Sequence, residues 1–579
     1  MRNSIVQQLT HYALVSPEKT VFVVLENGED MERKISYASL WAMVKTVAAD
    51  LTDKDLTGKR ALLVYQDIME FIIAFLACQY AGIIPVPVPY IKGSKQFLRL
   101  MNILEDADPA AVLSANHSIA HLQHGLSDFL SPRLLMLIAT DVHQVTDVQP
   151  VATNNDVAFI QYTSGSTGKP KGVMITHQNL MSNQAQIQTA FGCDEQSVIF
   201  SWLPFHHDMG LIGNILHTIY VGCTGILMSP FHFIQRPGRW LEGIGKYKAT
   251  HSGAPNFAYD LCVNKISPSE ITSLDLFSWK VAFNGSEPIR ADTIQQFSDY
   301  FKEAGFNENS FYPCYGMAEA TLMVSGYKTG KPPLTIEVDK KLVSSGSIVP
   351  GMSVKILNGA DLHECGELEA GEVYISGDNV TSGYWNKDNS SLFHQIDHQL
   401  FFPTGDLGFF YKNEIFIHGR LKEMLIIRGE NIYPYDIEQM IAKRISVVEP
   451  NGVAVFSVNI PEEACVVVAE IKRTSLKDVD VFHTIRLIEN EVIDSFGIVP
   501  HDILLINPLG IPRTTSGKIQ RLKCNENYVQ QVFNVIGSRE KLTPSSLINN
   551  DALLSAVKDN GDVEAIRSYL IQVIESKTG

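Results

Sequence analysis

At 579 residues, 45% hydrophobic and 19% charged, the chain has an ordinary soluble globular composition and room for about four domain-sized cores. A net charge of −16 excludes broad nucleic-acid binding, which rests on clustered positive charge, and leaves any basic docking patch local. The eight cysteines are scattered, with no C-x-x-C pair, so they read as reduced thiols of a cytoplasmic protein rather than a disulfide framework or zinc site.

Met1–Glu18 has no apolar h-region, so no signal peptide is expected. Strand-like runs follow at Ala61–Tyr65, Ala111–Leu113, Leu134–Ala139, Val157–Tyr162, Val198–Leu203, Gly225–Met228 and Val281–Asn284, with helical stretches between them. That alternation predicts an α/β fold whose layers bury a parallel sheet. Phe71–Tyr90 carries no charge, but Gly82 interrupts it and Pro85, Pro87 and Pro89 follow. It predicts a buried helix, a stop and an extended strand rather than a membrane span, so no integral membrane association is expected. From Ser347 to Gly377, short strands and turns predict a small β subdomain. A compact α/β segment after Gly419 separates a large N-terminal region, 1–419, from a small domain, 420–535. Residues 536–562 are polar and linker-like, and 563–579 have the pattern of an amphipathic helix.

The most informative stretch is Tyr162–Val173, YTSGSTGKPKGV. Thr163, Ser164, Ser166 and Thr167 alternate with Gly165 and Gly168, and Lys169 and Lys171 follow. Glycines let backbone N–H groups turn inward, hydroxyls add donors and lysines add charge, a combination suited to polyphosphate. It is not a Walker A loop, because two residues rather than four separate the glycines and Pro170 follows the lysine. On composition alone, a Gly/Ser linker reads equally well.

Further strings follow in chain order: LPFHHDMGLIG (Leu203–Gly213), GAPNFAYDL (Gly253–Leu261), FNGSEPIR (Phe283–Arg290), YPCYGMAEAT (Tyr312–Thr321), FPTGDLGFF (Phe402–Phe410), GRLKEMLIIRGENIYPYDIE (Gly419–Glu438) and PRTTSGKIQR (Pro512–Arg521). Singly, each has a plain explanation: a surface histidine, an Asn-Gly turn, a solvated glutamate, a surface lysine. Together and in this order they resemble the adenylate-forming superfamily of acyl-CoA synthetases, luciferases, peptide-synthetase adenylation domains and fatty acyl-AMP ligases. The resemblance spans roughly Val21–Asn525.

That resemblance implies ATP and Mg²⁺ as cofactors, and a small mobile domain that swivels at the hinge residue Lys422. It assigns the nucleotide to Thr163, Ser164, Gly165, Ser166, Thr167, Gly168, Lys169 and Lys171, to the adenine-side Asn284, Gly285 and Ser286, and to Tyr315, Gly316 and Met317, with Tyr315 stacking on the base. It places Asp406 on the ribose hydroxyls, Arg420 near the ribose and α-phosphate, and Glu319 on the metal. His207 lies near the substrate carboxylate. Asp208, Leu211, Ile212, Asn256 and Phe257 belong to the acyl side, although core packing alone also explains the apolar ones. The resemblance makes Lys518 the mobile catalytic lysine, counts His207 and Arg420 as catalytic beside it, and leaves Lys169 and Lys171 as helpers.

The wording H-D-M-G and P-N-F-A-Y-D is closest to fatty acyl-AMP ligases, which pass the acyl group to the phosphopantetheine thiol of an acyl carrier protein. Acyl-CoA synthetases pass it to CoA instead. Tyr327–Val343 sits where the former carry an extra segment that hinders CoA, and it is shorter than the resemblance implies. A peptide-synthetase adenylation domain fits less well, since no acidic residue is in place for an amino group. A non-catalytic nucleotide or acyl sensor is opposed by the intact Glu319, Asp406, Arg420 and Lys518. Residues 563–579 resemble the first helix of a carrier protein, so the carrier is expected in cis or in trans, beside the fatty acid substrate.

Overall fold

The computed structural model describes residues 3–90, 94–118, 122, 136–139, 156–163, 170–327, 330–337, 341–359, 361–427, 430–460, 462–514 and 517–539. The chain divides into two compact units, Met1–Lys422 and Glu423–Gly579. The expected α/β class is what is observed.

In the first unit the largest described sheet runs in the order Ser347–Ile348, Met323–Gly326, Phe311–Gly316, Val281–Asn284, His251–Ala254, Val198–Ser201, Thr224–Met228, Thr20–Leu25, Glu32–Ser36. From Phe311–Gly316 to Thr20–Leu25 the pairing is parallel. Successive residues of these strands are buried, which requires cover on both faces and explains their unbroken apolar runs. His251–Ala254 escapes that pattern, because its small and polar residues are buried without being strongly apolar.

A second sheet, also parallel, takes Ile84–Val88, Arg60–Val64, Ala111–Ser114 and Met136–Ala139. The uncharged stretch forms the expected helix and strand. Asp67 caps the helix Ile68–Tyr80 by accepting the Glu70 N–H at 2.9 Å, and Gly82, at φ +68°, closes it. Pro85 and Pro87 then lie in an edge strand, where a missing N–H removes no ladder bond. Among the described residues no helix is long and apolar enough to cross a membrane.

Val157–Thr163 departs from the expectation of a parallel strand. It pairs antiparallel with Lys171–Thr176, so the glycine-rich string joins two strands of a hairpin. The helix His177–Phe191 follows at once, started by a capping box between Thr176 and Asn179. The β subdomain extends beyond Gly377. It is an antiparallel sheet of Met352–Leu357, Gly371–Gly377, Gln399–Tyr411 and His394–Ile396, with Glu414–Arg420 paired to Gln399–Tyr411.

In the second unit, Val448–Ile460, Glu462–Ile471, Asp502–Ile506 and Val535–Ser538 form a sheet in that order. The helices Pro434–Arg444 and Val481–Phe496 supply Ile437, Ile441, Ile485, Ile488 and Val492 to its core. Because Val535–Ser538 pairs with Asp502–Ile506, the sheet continues past residue 535 into the stretch expected to be linker. The rest of that stretch from 540, and the helix expected at 563–579, lie outside the described residues.

Candidate active site

Parallel strands bring their carboxyl ends to one edge of a sheet, where open α/β sheets place their ligand sites. The loop after Val198–Ser201 carries His207 and Asp208. The loop after His251–Ala254 leads to Asn256, Val281–Asn284 runs into Gly285 and Ser286, and Phe311–Gly316 runs into Met317 and Glu319. These motifs therefore share one edge. The backbone there is crowded: a Cβ on Gly285 would lie 2.8 Å from the Cys314 carbonyl oxygen, and one on Gly316 only 1.8 Å from that of Leu322. No side chain fits at either position. Ser286, at φ +76°, and Thr321, at φ +65°, hold left-handed backbone, a strained state that clusters where structure serves binding.

Asp406 sits in the strand Gln399–Tyr411 opposite Arg420. Its Oδ2 accepts a hydrogen bond from the Tyr315 hydroxyl at 2.6 Å, and its Oδ1 meets the Arg420 Nε at 3.1 Å. Its backbone N–H donates to Thr404 Oγ1 at 3.0 Å, and Thr404 in turn donates to the Val373 carbonyl. A carboxylate offers about four lone-pair directions, so two partners leave room for the two hydroxyls of a ribose. Burial, then the charge of Asp406, holds the Tyr315 phenol well above its ordinary value, so it stays a donor. Met317 is within reach of the same hydroxyl, at 3.9 Å from Sδ.

Glu319 lies in the short 3₁₀ turn Ala318–Ala320. Its Oε1 accepts from the Tyr384 hydroxyl at 2.8 Å, and the Lys171 ammonium stands 4.8 Å over the Tyr384 ring. Burial raises the Glu319 carboxyl, while the Tyr384 hydrogen bond and Arg420 lower it and Asp406 raises it further. Tyr315 stands in the strand Phe311–Gly316 and Glu319 in the turn that follows it, so the two clusters adjoin. Tyr384 was not singled out from sequence. It belongs to a segment that pairs with the strand after the glycine-rich loop: Val173 bridges Tyr384, and the Trp385 N–H donates to the Gly172 carbonyl at 2.7 Å. Ser164, Gly165, Ser166, Thr167, Gly168 and Lys169 lie outside the described residues. Thr163 and Lys171 are paired at the ends of the two strands.

Among the described residues no cluster of three or more His, Cys, Asp or Glu is poised to enclose a metal. A single carboxylate with one oxygen left for a cation nevertheless suits Mg²⁺, which takes one or two carboxylates and completes its shell with phosphate oxygens and water. Glu319 fits that donor set.

In the loop after Val198–Ser201, His207 Nδ1 lies 2.6 Å from Asp208 Oδ1. The neighbouring His206 has both ring nitrogens shielded and without a hydrogen bond, and burial, then His207 and Arg99, pushes it down to about 3. His207 is thus the imidazole of the pair that a ligand can use. Leu211 and Ile212 are fully buried in a π-helix, Leu211–Leu216, a wide turn common at functional sites and invisible to apolar periodicity. Gln184 stabilises it, donating to the Ile212 carbonyl at 2.9 Å while its oxygen contacts His217 Nδ1 at 2.6 Å. Phe257 is half-buried, edge-on to Trp202 at 6.3 Å. Asn256 is fully buried and faces Asn284 and Thr293, so its amide braces the end of the strand Val281–Asn284.

In the second unit, Lys518 lies in a tight turn. Its N–H donates to Thr514 Oγ1 at 3.0 Å, its carbonyl accepts from the Thr514 N–H at 2.8 Å, and Gly517 holds φ +89°. Lys422 sits in the 3₁₀ turn Leu421–Glu423, at the boundary of the two units.

Residues 9–385 match the family described as AMP-binding enzyme, and residues 422–538 match the AMP domain described as Disco-interacting protein 2-like. The chain is 33% identical to the medium-chain-fatty-acid–[acyl-carrier-protein] ligase JamA of Moorena producens, over 94% of this chain and 97% of the relative. It is 32% identical to the medium-chain-fatty-acid–[acyl-carrier-protein] ligase TtuA of Teredinibacter turnerae, over 98% of each. Among solved structures it resembles the fatty acyl-adenylate ligase from L. pneumophila in complex with acyl adenylate and pyrophosphate. The identity there is 36%, the coverage 93% of this chain and 98% of that one, and the TM-score 0.69. The chain belongs to the AMP-binding enzyme family, in its fatty acyl-AMP ligase branch.

Proposed function

We propose that the protein activates a fatty acid with ATP and passes the acyl group to the phosphopantetheine thiol of an acyl carrier protein. The observation that carries this reading is the meeting of the Asp406–Tyr315–Arg420 and Glu319–Tyr384–Lys171 clusters, in a chain whose relatives are named acyl-carrier-protein ligases. A fatty carboxylate oxygen attacks the α-phosphorus, the bond to pyrophosphate breaks, and acyl-AMP forms. The carrier thiol then attacks the acyl carbonyl and AMP leaves.

In this reading Asp406 holds the ribose, Tyr315 orients Asp406, and the crowded Gly285 and Gly316 let the base approach the backbone. Arg420 and Lys171 face phosphate charge, and Lys518 stabilises the charge that builds on the α-phosphoryl group as it is attacked. Mg²⁺, held by Glu319, would neutralise phosphate oxygens when bound. His207 orients the fatty carboxylate, and the apolar π-helix beside it receives the chain. The substrate is a free fatty acid, the carrier acts in cis or in trans, and the reaction belongs in the cytoplasm.

The acceptor decides between this reading and an acyl-CoA synthetase. Enzyme, ATP and a medium-chain acid are supplied with either CoA or a holo carrier protein; thioester on the carrier is expected, and efficient acyl-CoA formation would overturn the assignment. Within Tyr327–Val343, a hairpin pairs Thr335–Glu337 with Lys341–Val343, and the Tyr327 hydroxyl donates to the Pro332 carbonyl at 2.7 Å. Trimming this segment is expected to raise CoA-dependent turnover, and no change would acquit it as the barrier.

A further inference from the structure

The turn that carries Lys518 is fixed at both ends by side chains that the proposed mechanism leaves without a role. At its start the Ile511 N–H donates to Glu470 Oε1 at 2.7 Å, and Arg513 Nη2 donates to the Asn451 carbonyl at 2.5 Å. At its end stands Arg521, the first residue of the helix Arg521–Val529. The Arg521 guanidinium engages two carboxylates from different parts of the chain. Nε and Nη2 fork onto Glu438, at 2.8 Å to Oε1 and 2.7 Å to Oε2, while Nη1 reaches Glu423 Oε2 at 2.5 Å. Glu438 is buried on the helix Pro434–Arg444 and also accepts the Val455 N–H at 2.9 Å. Glu423 is the first residue of the second unit and directly follows Lys422.

A buried ion pair is weak evidence for stability, because removing charges from water costs about as much as their attraction returns. What a planar, two-pronged guanidinium does supply is fixed direction. Here that direction links three points: the residue next to the hinge, the core helix of the second unit, and the end of the Lys518 turn. We infer that Arg521, with Glu423 and Glu438, is a positioning clamp that makes the hinge exit and the Lys518 turn one rigid piece, so that rotation at Lys422 carries the Lys518 ammonium along instead of deforming the turn. The inference rests on the role proposed above for Lys518 in adenylation.

Glu423→Gln removes one arm of the clamp at a partly exposed residue and leaves the buried Arg521–Glu438 fork intact. Arg521→Lys keeps the charge and loses the fork, and serves as the second variant. Both are compared with wild type in pyrophosphate exchange, in thioester formation on a holo carrier from supplied acyl-AMP, and in thermal unfolding. A positioning clamp lowers the exchange rate about tenfold in each variant, leaves the KM for ATP unchanged, and leaves transfer from supplied acyl-AMP and the unfolding midpoint near wild type. The double variant then falls no further than the worse single one. Exchange at wild-type rate in both variants overturns the clamp, as does a parallel fall of exchange, transfer and midpoint, which marks a merely structural bridge. Lys518→Ala runs beside them. If it still exchanges pyrophosphate, the failure lies with the role of Lys518 and not with Arg521.

Discussion

The Asp406–Glu319 site proposed for the nucleotide in the first unit and the surroundings of Lys518 in the second are built on opposite plans. In the first, partners come from far apart in the chain: Tyr315 reaches Asp406 and Tyr384 reaches Glu319 across elements that only the complete fold brings together. In the second, Thr514 pairs with Lys518 and Gly517, close by in sequence. A group that must recognise a nucleotide needs several groups held at fixed distances, so it belongs in a rigid body.

The largest expected effect lies on the second plan. Lys518→Ala should slow acyl-AMP formation several hundred-fold, about 3.5 kcal/mol of lost transition-state stabilisation, while ATP binding by calorimetry persists because the proposed recognition groups are elsewhere. Pyrophosphate exchange at wild-type rate would refute this division of labour.

Next comes a stability effect confined to the first unit. Burial holds His217 at about 3 and His251 at about 4, so both stay neutral in the folded chain. As pH falls through 6.5 the unfolded chain takes up protons that the folded one refuses, and stability is lost from about pH 6.5 down to 4 for His251 and on to about 3 for His217. His251 alone contributes on the order of 3 kcal/mol across that window. All five tryptophans lie between Trp41 and Trp385, so tryptophan fluorescence reports this unit, and its unfolding midpoint should drop over that range. A midpoint independent of pH there would contradict the buried neutral histidines.

Much of this was legible in the sequence, for physical reasons that also set the limits. Buried parallel strands announce themselves as apolar runs, which is why Val198–Ser201, Thr224–Met228 and Val281–Asn284 were found. Val157–Thr163 reads the same way but pairs antiparallel, because an apolar run records burial and not the direction of its neighbour. His251–Ala254 hid behind small and polar residues. Glycines at Gly285 and Gly316 and the motif order marked the site, yet Tyr384 left no local signal, since its partner Glu319 is distant in sequence. Arg521 stands at the end of PRTTSGKIQR with no legible role for the same reason, its carboxylates lying on other elements. The π-helix at Leu211–Leu216 was also beyond reach, as its residues are apolar whichever turn they adopt.

The first unit's own groups should give smaller effects than Lys518, because each shares its load with neighbours. Asp406→Asn keeps the shape and removes the charge that strengthens the ribose hydrogen bonds. About 2 kcal/mol is expected, a rise of roughly thirtyfold in the KM for ATP, and an unchanged KM would remove Asp406 from the ribose.

Tyr384→Phe tests the residue that sequence did not offer. The phenol holds one Glu319 oxygen and underlies Lys171, so deleting the hydroxyl frees the carboxylate to rotate while leaving the ring beneath the ammonium. One neutral donor to a charged acceptor is worth about 1–2 kcal/mol here. Much of the orientation survives, however, because Thr381 and Tyr384 remain tied to the backbone of the Glu319 turn and of Val173. The Mg²⁺ concentration giving half-maximal pyrophosphate exchange at saturating ATP should therefore rise about fivefold, with little change in the KM for fatty acid. An equal loss at every Mg²⁺ concentration would instead assign Tyr384 to the shape of the phosphate hairpin, and Glu319 would then need no positioning partner.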